Sequence, residues 1–316
     1  MAETYIKYIS IFSNAALVAL IWTAFITQIP AQNLPIAEAK QSQLKKVRVN
    51  GVELNYQESG KGIPVIFVHG ALDDYRMWTA QVEPFSEHYR VINYSRRYNY
   101  PNQNLNIKPD HSALVEADDL AALIRKLKLK RVHVVGYSYG AYTALFLAVK
   151  YPKLVRTLVL SEAPAFSLAL DKPDGKLLVN EFLDNLWKPA AVAFNNNERE
   201  KALRLTVKYF AGADVFEQVP ENMCEYWRSN LREWQALTTS RDAFPELSRE
   251  EIRKIKVPVL MLSGEQTLRV LKFVDDELQP LLLNGERVTF QKASHDMWSE
   301  QPEALRQTVL AFLAKH

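Results

Sequence analysis

The stretch from Arg131 to Gly140, with the segment Ala141 to Tyr151 behind it, limits the possible folds more than any other part of the chain. Val132 to Val135 is a short apolar, β-branched run of the kind that forms a buried strand. The Ala- and Leu-rich segment after Gly140 contains no Gly or Pro until Pro152, so it reads as a helix. Between them lies Gly136-Tyr137-Ser138-Tyr139-Gly140. Glycine on either side of a serine lets a strand bend directly into a helix, because a side chain at either position would collide where the two elements pass close to the bend. Such a turn lifts the serine hydroxyl above the sheet edge, the arrangement of a nucleophile elbow. With only ten glycines in 316 residues, composition alone does not readily produce this spacing.

The surrounding pattern extends the unit into a sheet. Leu44 to Glu58 contains two alternating runs about Asn50-Gly51, a short hairpin signal. Pro64 to Val68, Val91 to Ser95, Leu154 to Ser161, Val257 to Ser263 and Glu286 to Phe290 read as further strands. Arg76 to His88, the amphipathic His111 to Leu129 and Pro302 to Ala314 read as helices. Strands alternating with helices predict an α/β fold with a mainly parallel central sheet of about eight strands, flanked by helices. The alternation stops between residues 165 and 249, where helices are expected over Lys176 to Trp187, Glu198 to Phe210 and Asn222 to Ala236. An all-helical insertion between two strands reads as a cap over the strand ends, with residues 44–164 and 250–316 as the core.

Residues 1–33 have a different character. No charge occurs from Tyr8 to Ile29, a length that suits a membrane anchor and exceeds the usual apolar region of a signal segment, while Ile29-Pro30-Ala31 offers a weak cleavage site. Both readings are carried forward: a protein anchored in the membrane by this segment, or exported if it is cleaved. Residues 34–43 read as a linker. The formal charge of +3 and the absence of a basic stripe interleaved with aromatics argue against a nucleic-acid partner. A single cysteine, Cys224, excludes an internal disulfide, and no Cys/His cluster has zinc spacing. No Gly-rich phosphate loop or dinucleotide fingerprint is present, so no cofactor is expected.

On His69-Gly70, the Gly136 to Gly140 motif and Ala293-Ser294-His295, the chain from Val47 to Lys315 resembles a capped α/β-hydrolase-fold serine hydrolase. In that family the order along the chain is serine, acid, histidine. Ser138 and His295 fit it, and His295 is the histidine placed in a loop between the last strand and the last helix. The family commonly places the acid three residues after the glycine ending the penultimate strand, but Thr267 stands there. Glu162, at the end of the strand after the elbow helix, is the leading replacement, with Glu265, Asp275 and Asp276 as alternatives. The resemblance further implies an oxyanion hole formed by the N–H groups of Ala71 and Tyr139. Asp73 and Asp74 in the same loop are weak evidence for a metal, and none is expected. Arg96 and Arg97 suit a pairing with surface carboxylates better than a substrate anchor. The implied function is acyl-enzyme hydrolysis of an ester, lactone or similar small apolar carbonyl compound. Its alternatives are a perhydrolase using the same three residues and a non-catalytic binding or sensor protein, the latter favoured by Thr267.

Overall fold

The computed structural model describes residues 43–316. The chain opens with the hairpin β1 (Lys45–Val49) and β2 (Val52–Ser59), whose turn at Asn50 and Gly51 has positive φ at both residues. Then follow β3 (Pro64–Val68), helix α1 (Thr79–Ser86), β4 (Arg90–Tyr94), α2 (Ala113–Lys126), β5 (Val132–Tyr137), α3 (Tyr139–Lys150) and β6 (Val155–Ser161). After a helical insertion come α10 (Arg249–Arg253), β7 (Val259–Gly264), α11 (Arg269–Leu278), β8 (Gly285–Phe290), α12 (Met297–Glu300) and α13 (Pro302–Ala314). The eight strands form one sheet in the order β1-β2-β4-β3-β5-β6-β7-β8. The β1–β2 and β2–β4 pairs are antiparallel and the others parallel, as expected for this α/β class.

Strand β3 pairs with β4 on one side and β5 on the other. The chain therefore winds outward in opposite directions from β3 and β5, and the loops leaving their carboxyl ends separate to leave a crevice. The loop from His69 to Asp74 and the turn at Ser138 both arise there.

Alternating side chains on the central strands supply a core on each face. One contains Val134, Leu158, Leu120, Ile124, Tyr142 and Leu145 and continues into the helical insertion. The other contains Phe67, Trp78, Phe85, Val135, Val159, Trp298, Leu305 and Val309. Trp78 stacks on Phe67 at 4.8 Å and meets Trp298 edge-on at the same separation, so α12 is held against the sheet by aromatic packing. Burial of each such side chain stabilises the fold by about 2 kcal/mol.

Two expected helices have a different form. In place of one helix from Arg76 to His88 there is a 3₁₀ turn over Tyr75–Trp78 before α1. Asp74 caps that turn by accepting the Arg76 N–H at 2.8 Å. The helix expected from Asn222 to Ala236 is broken into α8 (Glu221–Ser229) and α9 (Leu231–Thr238). The break falls at Asn230, whose amide donates to Asp74 at 2.7 Å and accepts the Tyr100 N–H at 2.9 Å. The rest of the insertion comprises α4 (Ser167–Leu170), α5 (Pro173–Phe182), α6 (Lys188–Asn195) and α7 (Arg199–Ala211), with a π-helical turn over Leu183–Trp187 between α5 and α6.

The expected localisation requires correction. Among the described residues no helix is long and apolar enough to cross a membrane. Residues 1–33 and most of the expected linker 34–43 lie outside the described residues, and the anchored or exported assignment that rested on them is withdrawn.

Candidate active site

Ser138 occupies the bend between β5 and α3 with φ 52° and ψ −120°, a region that residues with side chains seldom enter. The bend is tight enough to require both glycines. A Cβ on Gly140 would lie 2.2 Å from the Val68 carbonyl oxygen, and one on Gly136 would lie 2.7 Å from the Gly140 oxygen. The start of α3 therefore touches the end of β3, placing Ser138 beside the loop that follows His69. Tyr139 opens α3, so its N–H is among the first helical amides that have no carbonyl partner one turn earlier.

His295 reaches Ser138 from the loop after the edge strand β8. Its Nε2 is 3.1 Å from Ser138 Oγ, and its Nδ1 is 2.5 Å from Glu162 Oε2. A carboxylate can only accept, so the proton between them belongs on Nδ1 and Nε2 is left to accept from the serine hydroxyl. The ring lies between two aromatic faces, Tyr137 at 5.0 Å and Phe210 of α7 at 5.9 Å. The loop that carries it passes against the end of β7, where a Cβ on Gly264 would come within 2.4 Å of the Ser294 oxygen. Trp298, just beyond, donates its indole N–H to Ser161 Oγ at 3.0 Å and fixes α12 at the end of β6.

Glu162 is fully buried directly after β6, with φ 51°. Besides His295 it accepts the Gly264 N–H and the Thr267 hydroxyl, each at 2.7 Å. Thr267, the residue at the position where an acid was expected, thus serves the carboxylate that has come from the neighbouring strand. The alternatives lie elsewhere. Glu265 is exposed and accepts the Lys292 N–H. Asp276 pairs with Arg287 at 2.6 Å. Asp275 is buried and accepts from Ser263 Oγ, and burial, reinforced by the Glu162 carboxylate, pushes its pKa up to about 8. An acid that is neutral at pH 7 would be a poor partner for an imidazolium.

The loop after β3 is held from beneath. His69 is buried, with Nδ1 2.9 Å from the Gly70 carbonyl oxygen and Nε2 accepting the Arg96 N–H at 3.0 Å. Burial and the adjacent guanidinium keep its pKa well below the ordinary histidine value, so it remains neutral. Asp74, considered above as a metal ligand, is occupied by Arg76 and Asn230. Arg96 and Arg97 do not make the expected surface pairs. Arg97 forks onto the buried Asp119 at 2.8 Å through both nitrogens. Arg96 is fully buried, 2.6 Å from Glu233 on α9 and 3.5 Å from Glu116 on α2, partners that come from other elements of the fold. Glu233 and Phe210 carry no local sequence signal that ties them to the site, whereas Tyr137 lies within the Gly136–Gly140 motif and Thr267 stands at the usual acid position. A surface cavity of about 380 Å³ lined by Gly264, Glu265, Lys272 and Arg287 includes neither Ser138 nor His295.

Comparison with known proteins agrees with this architecture. The chain is 26% identical over 289 residues to a bifunctional esterase/perhydrolase of Acinetobacter calcoaceticus, covering 84% of this chain and 97% of that protein. The crystal structure of an enol-lactonase from Burkholderia xenovorans superposes with a TM-score of 0.70 at 23% identity, covering 85% of this chain and all of the other. An epoxide hydrolase superposes equally well, at 0.70 and 20% identity over 86% of this chain and 99% of the other, so the shared fold does not by itself select a chemistry. The family profile described as the alpha/beta hydrolase fold matches residues 63–302, a span that runs from β3 past the His295 loop and takes in the whole elbow. The chain belongs to the α/β-hydrolase fold family.

Proposed function

We propose that the protein is a serine hydrolase that cleaves an ester, lactone or similar small apolar carbonyl compound through an acyl-enzyme. The observation that carries the reading is the continuous hydrogen-bonded line from Ser138 Oγ through His295 to the buried Glu162. A neutral hydroxyl is a weak nucleophile, and an imidazole 3.1 Å away with a free lone pair can take its proton as the oxygen attacks. The attack converts the carbonyl to a tetrahedral oxyanion, for which the N–H groups of Tyr139 and Ala71 are the donors. The imidazolium formed meanwhile is stabilised by Glu162. It then returns the proton to the leaving alcohol as the carbon–oxygen bond breaks, leaving the acyl group on Ser138. Water enters by the reverse sequence, with His295 as base, and releases the acid. The helices between β6 and β7 act as the cap, and Phe210 brings one of its aromatic faces over His295. The esterase named among the relatives and the lactonase among the structural neighbours are consistent with this substrate class.

The binding-protein reading drew on Thr267, and that argument loses its force once the hydroxyl is seen to donate to Glu162. Perhydrolysis would use the same acyl-enzyme with peroxide in place of water, as the name of one relative suggests. The test is hydrolysis of p-nitrophenyl butyrate and of a small lactone panel by the purified protein and by Ser138→Ala. Turnover by the parent and a loss of at least about 1,000-fold in the variant are expected. Equal turnover by both would place the chemistry elsewhere.

A further inference from the structure

We propose that Glu233, contributed by helix α9 of the insertion, is a positioning residue for the oxyanion hole and acts through Arg96 on the Gly70–Ala71 peptide. The inference rests on the reading of Ser138 and Ala71 given above. The Gly70 carbonyl oxygen faces two donors, the Arg96 Nη2 at 2.9 Å and the His69 Nδ1 at 2.9 Å. Arg96 Nε also donates to the preceding carbonyl, that of His69, at 3.1 Å. In a trans peptide the N–H leaves the plane's opposite edge from the C=O. Fixing the Gly70 oxygen therefore fixes the direction of the Ala71 N–H, which points away from Arg96.

Arg96 is held by a buried carboxylate that also controls the next amide. Glu233 Oε1 accepts from Arg96 Nη2 at 2.6 Å, while its Oε2 accepts the Leu72 N–H at 3.0 Å. Leu72 has φ 59°, so the chain turns sharply just after Ala71 and Glu233 stabilises that turn. The Leu72 N–H is engaged by Glu233, while the Ala71 N–H beside it has no acceptor among the described residues and is left for the oxyanion. The Arg96 guanidinium also lies 5.3 Å over the ring of Tyr139, the residue that supplies the second donor. One buried ion pair thus holds the carbonyl of the Gly70–Ala71 peptide and the Leu72 N–H, and lies over the Tyr139 ring, and one of its members belongs to the insertion. Docking of the cap and organisation of the oxyanion hole become a single event.

The test compares Glu233→Gln with Asn230→Ala in the full chain. Glutamine has nearly the same shape but removes the charge that holds Arg96, and its NH₂ replaces one of the two oxygens that accept from Arg96 and Leu72. Asn230 also ties the insertion to the core, through Asp74 and Tyr100, yet does not touch Gly70, Ala71 or Arg96. Loss of a complete oxyanion donor lowers kcat by roughly 100- to 1,000-fold, and a misaligned one by less. For Glu233→Gln the expectation is a fall in kcat of about 30-fold with KM within about threefold. Inhibition by a trifluoromethyl ketone, whose adduct places an oxyanion in the same hole, should weaken by a similar factor. Asn230→Ala should keep kcat within about threefold. Unchanged kcat and ketone inhibition in Glu233→Gln would overturn the inference while leaving the hydrolase reading intact. An equal loss of kcat in Asn230→Ala would also overturn it, by showing that any loosening of the insertion has the same effect. A parent protein that neither turns over esters nor reacts with a fluorophosphonate at Ser138 would remove the hydrolase reading and this inference with it.

Discussion

Replacing Glu162 by glutamine removes one charge from the centre of the site and little else. Two of the three partners of the side chain, the Gly264 N–H and the Thr267 hydroxyl, can still be met by an amide. The third cannot. The glutamine oxygen is needed for the Gly264 N–H, so the amide NH₂ turns toward His295 Nδ1 and favours the imidazole tautomer protonated on Nε2, which has no lone pair for the serine proton. The charge contributes independently. An imidazolium and a carboxylate with centres about 4 Å apart attract by about 4 kcal/mol at an effective dielectric constant near 20. That is about three orders of magnitude in rate. The tautomer penalty adds to it, and the expected loss in kcat is about 1,000- to 10,000-fold, with KM nearly unchanged because Glu162 lies behind the histidine. The assay is steady-state hydrolysis of p-nitrophenyl butyrate, with a thermal melt to establish that the variant is folded. A folded Glu162→Gln enzyme within tenfold of the parent would refute the reasoning. If Asp275→Asn abolished activity at the same time, the acid would be Asp275.

Thr267→Val keeps the shape of the side chain and deletes one of the hydrogen bonds to a buried carboxylate. Such bonds contribute about 1.5 to 3 kcal/mol, so a fall in kcat of about tenfold is expected, and an unchanged kcat would deny Thr267 any part in holding Glu162. Stability should respond to pH through His133. This ring is buried in β5 with Nδ1 2.7 Å from Thr157 Oγ1 and, among the described residues, no partner at Nε2, and burial lowers its pKa to about 4. The unfolded chain takes up a proton near pH 6.5 and the folded chain does not until about pH 4. The contribution is therefore complete above pH 6.5 and is lost as pH falls toward 4, by about 3 kcal/mol in all. Urea titrations at pH 4.5 and 7 should show that slope reduced in His133→Phe, and an identical slope in the variant would show that His133 is not its source.

The parts of the candidate site that can be read from the chain are those with a local cause. Ser138 is visible because a strand-to-helix bend needs glycine at fixed offsets and the flanking segments show their periodicities. His295 is visible because it sits in a short loop after the last strand. Glu162 becomes a candidate indirectly, since Thr267 occupies the usual position and the neighbouring strand ends in an acid. The remainder depends on tertiary proximity. Thr267 donates to a residue 105 positions earlier, and Arg96 meets Glu233 across 137 positions. No window of sequence contains both partners, so a buried arginine suggested a surface pair. The break at Asn230 was hidden for the same reason: the apolar pattern continues through it, and its cause is a contact with the β3 loop. One missed element did carry a local signal. Ser248 and Glu251 form a capping box at the start of α10, in a spacing that marks a helix start.

The central claim is that Ser138 is activated by His295. The most direct measurement is reaction of the purified protein with a fluorophosphonate, followed by mass spectrometry of the labelled peptide, beside Ser138→Ala and His295→Ala. The reagent reports an activated serine without a choice of substrate. The structure predicts one label per chain on Ser138 and loss of labelling in both variants. A folded parent protein that takes up no label, or a His295→Ala variant that labels as fast as the parent, would contradict it.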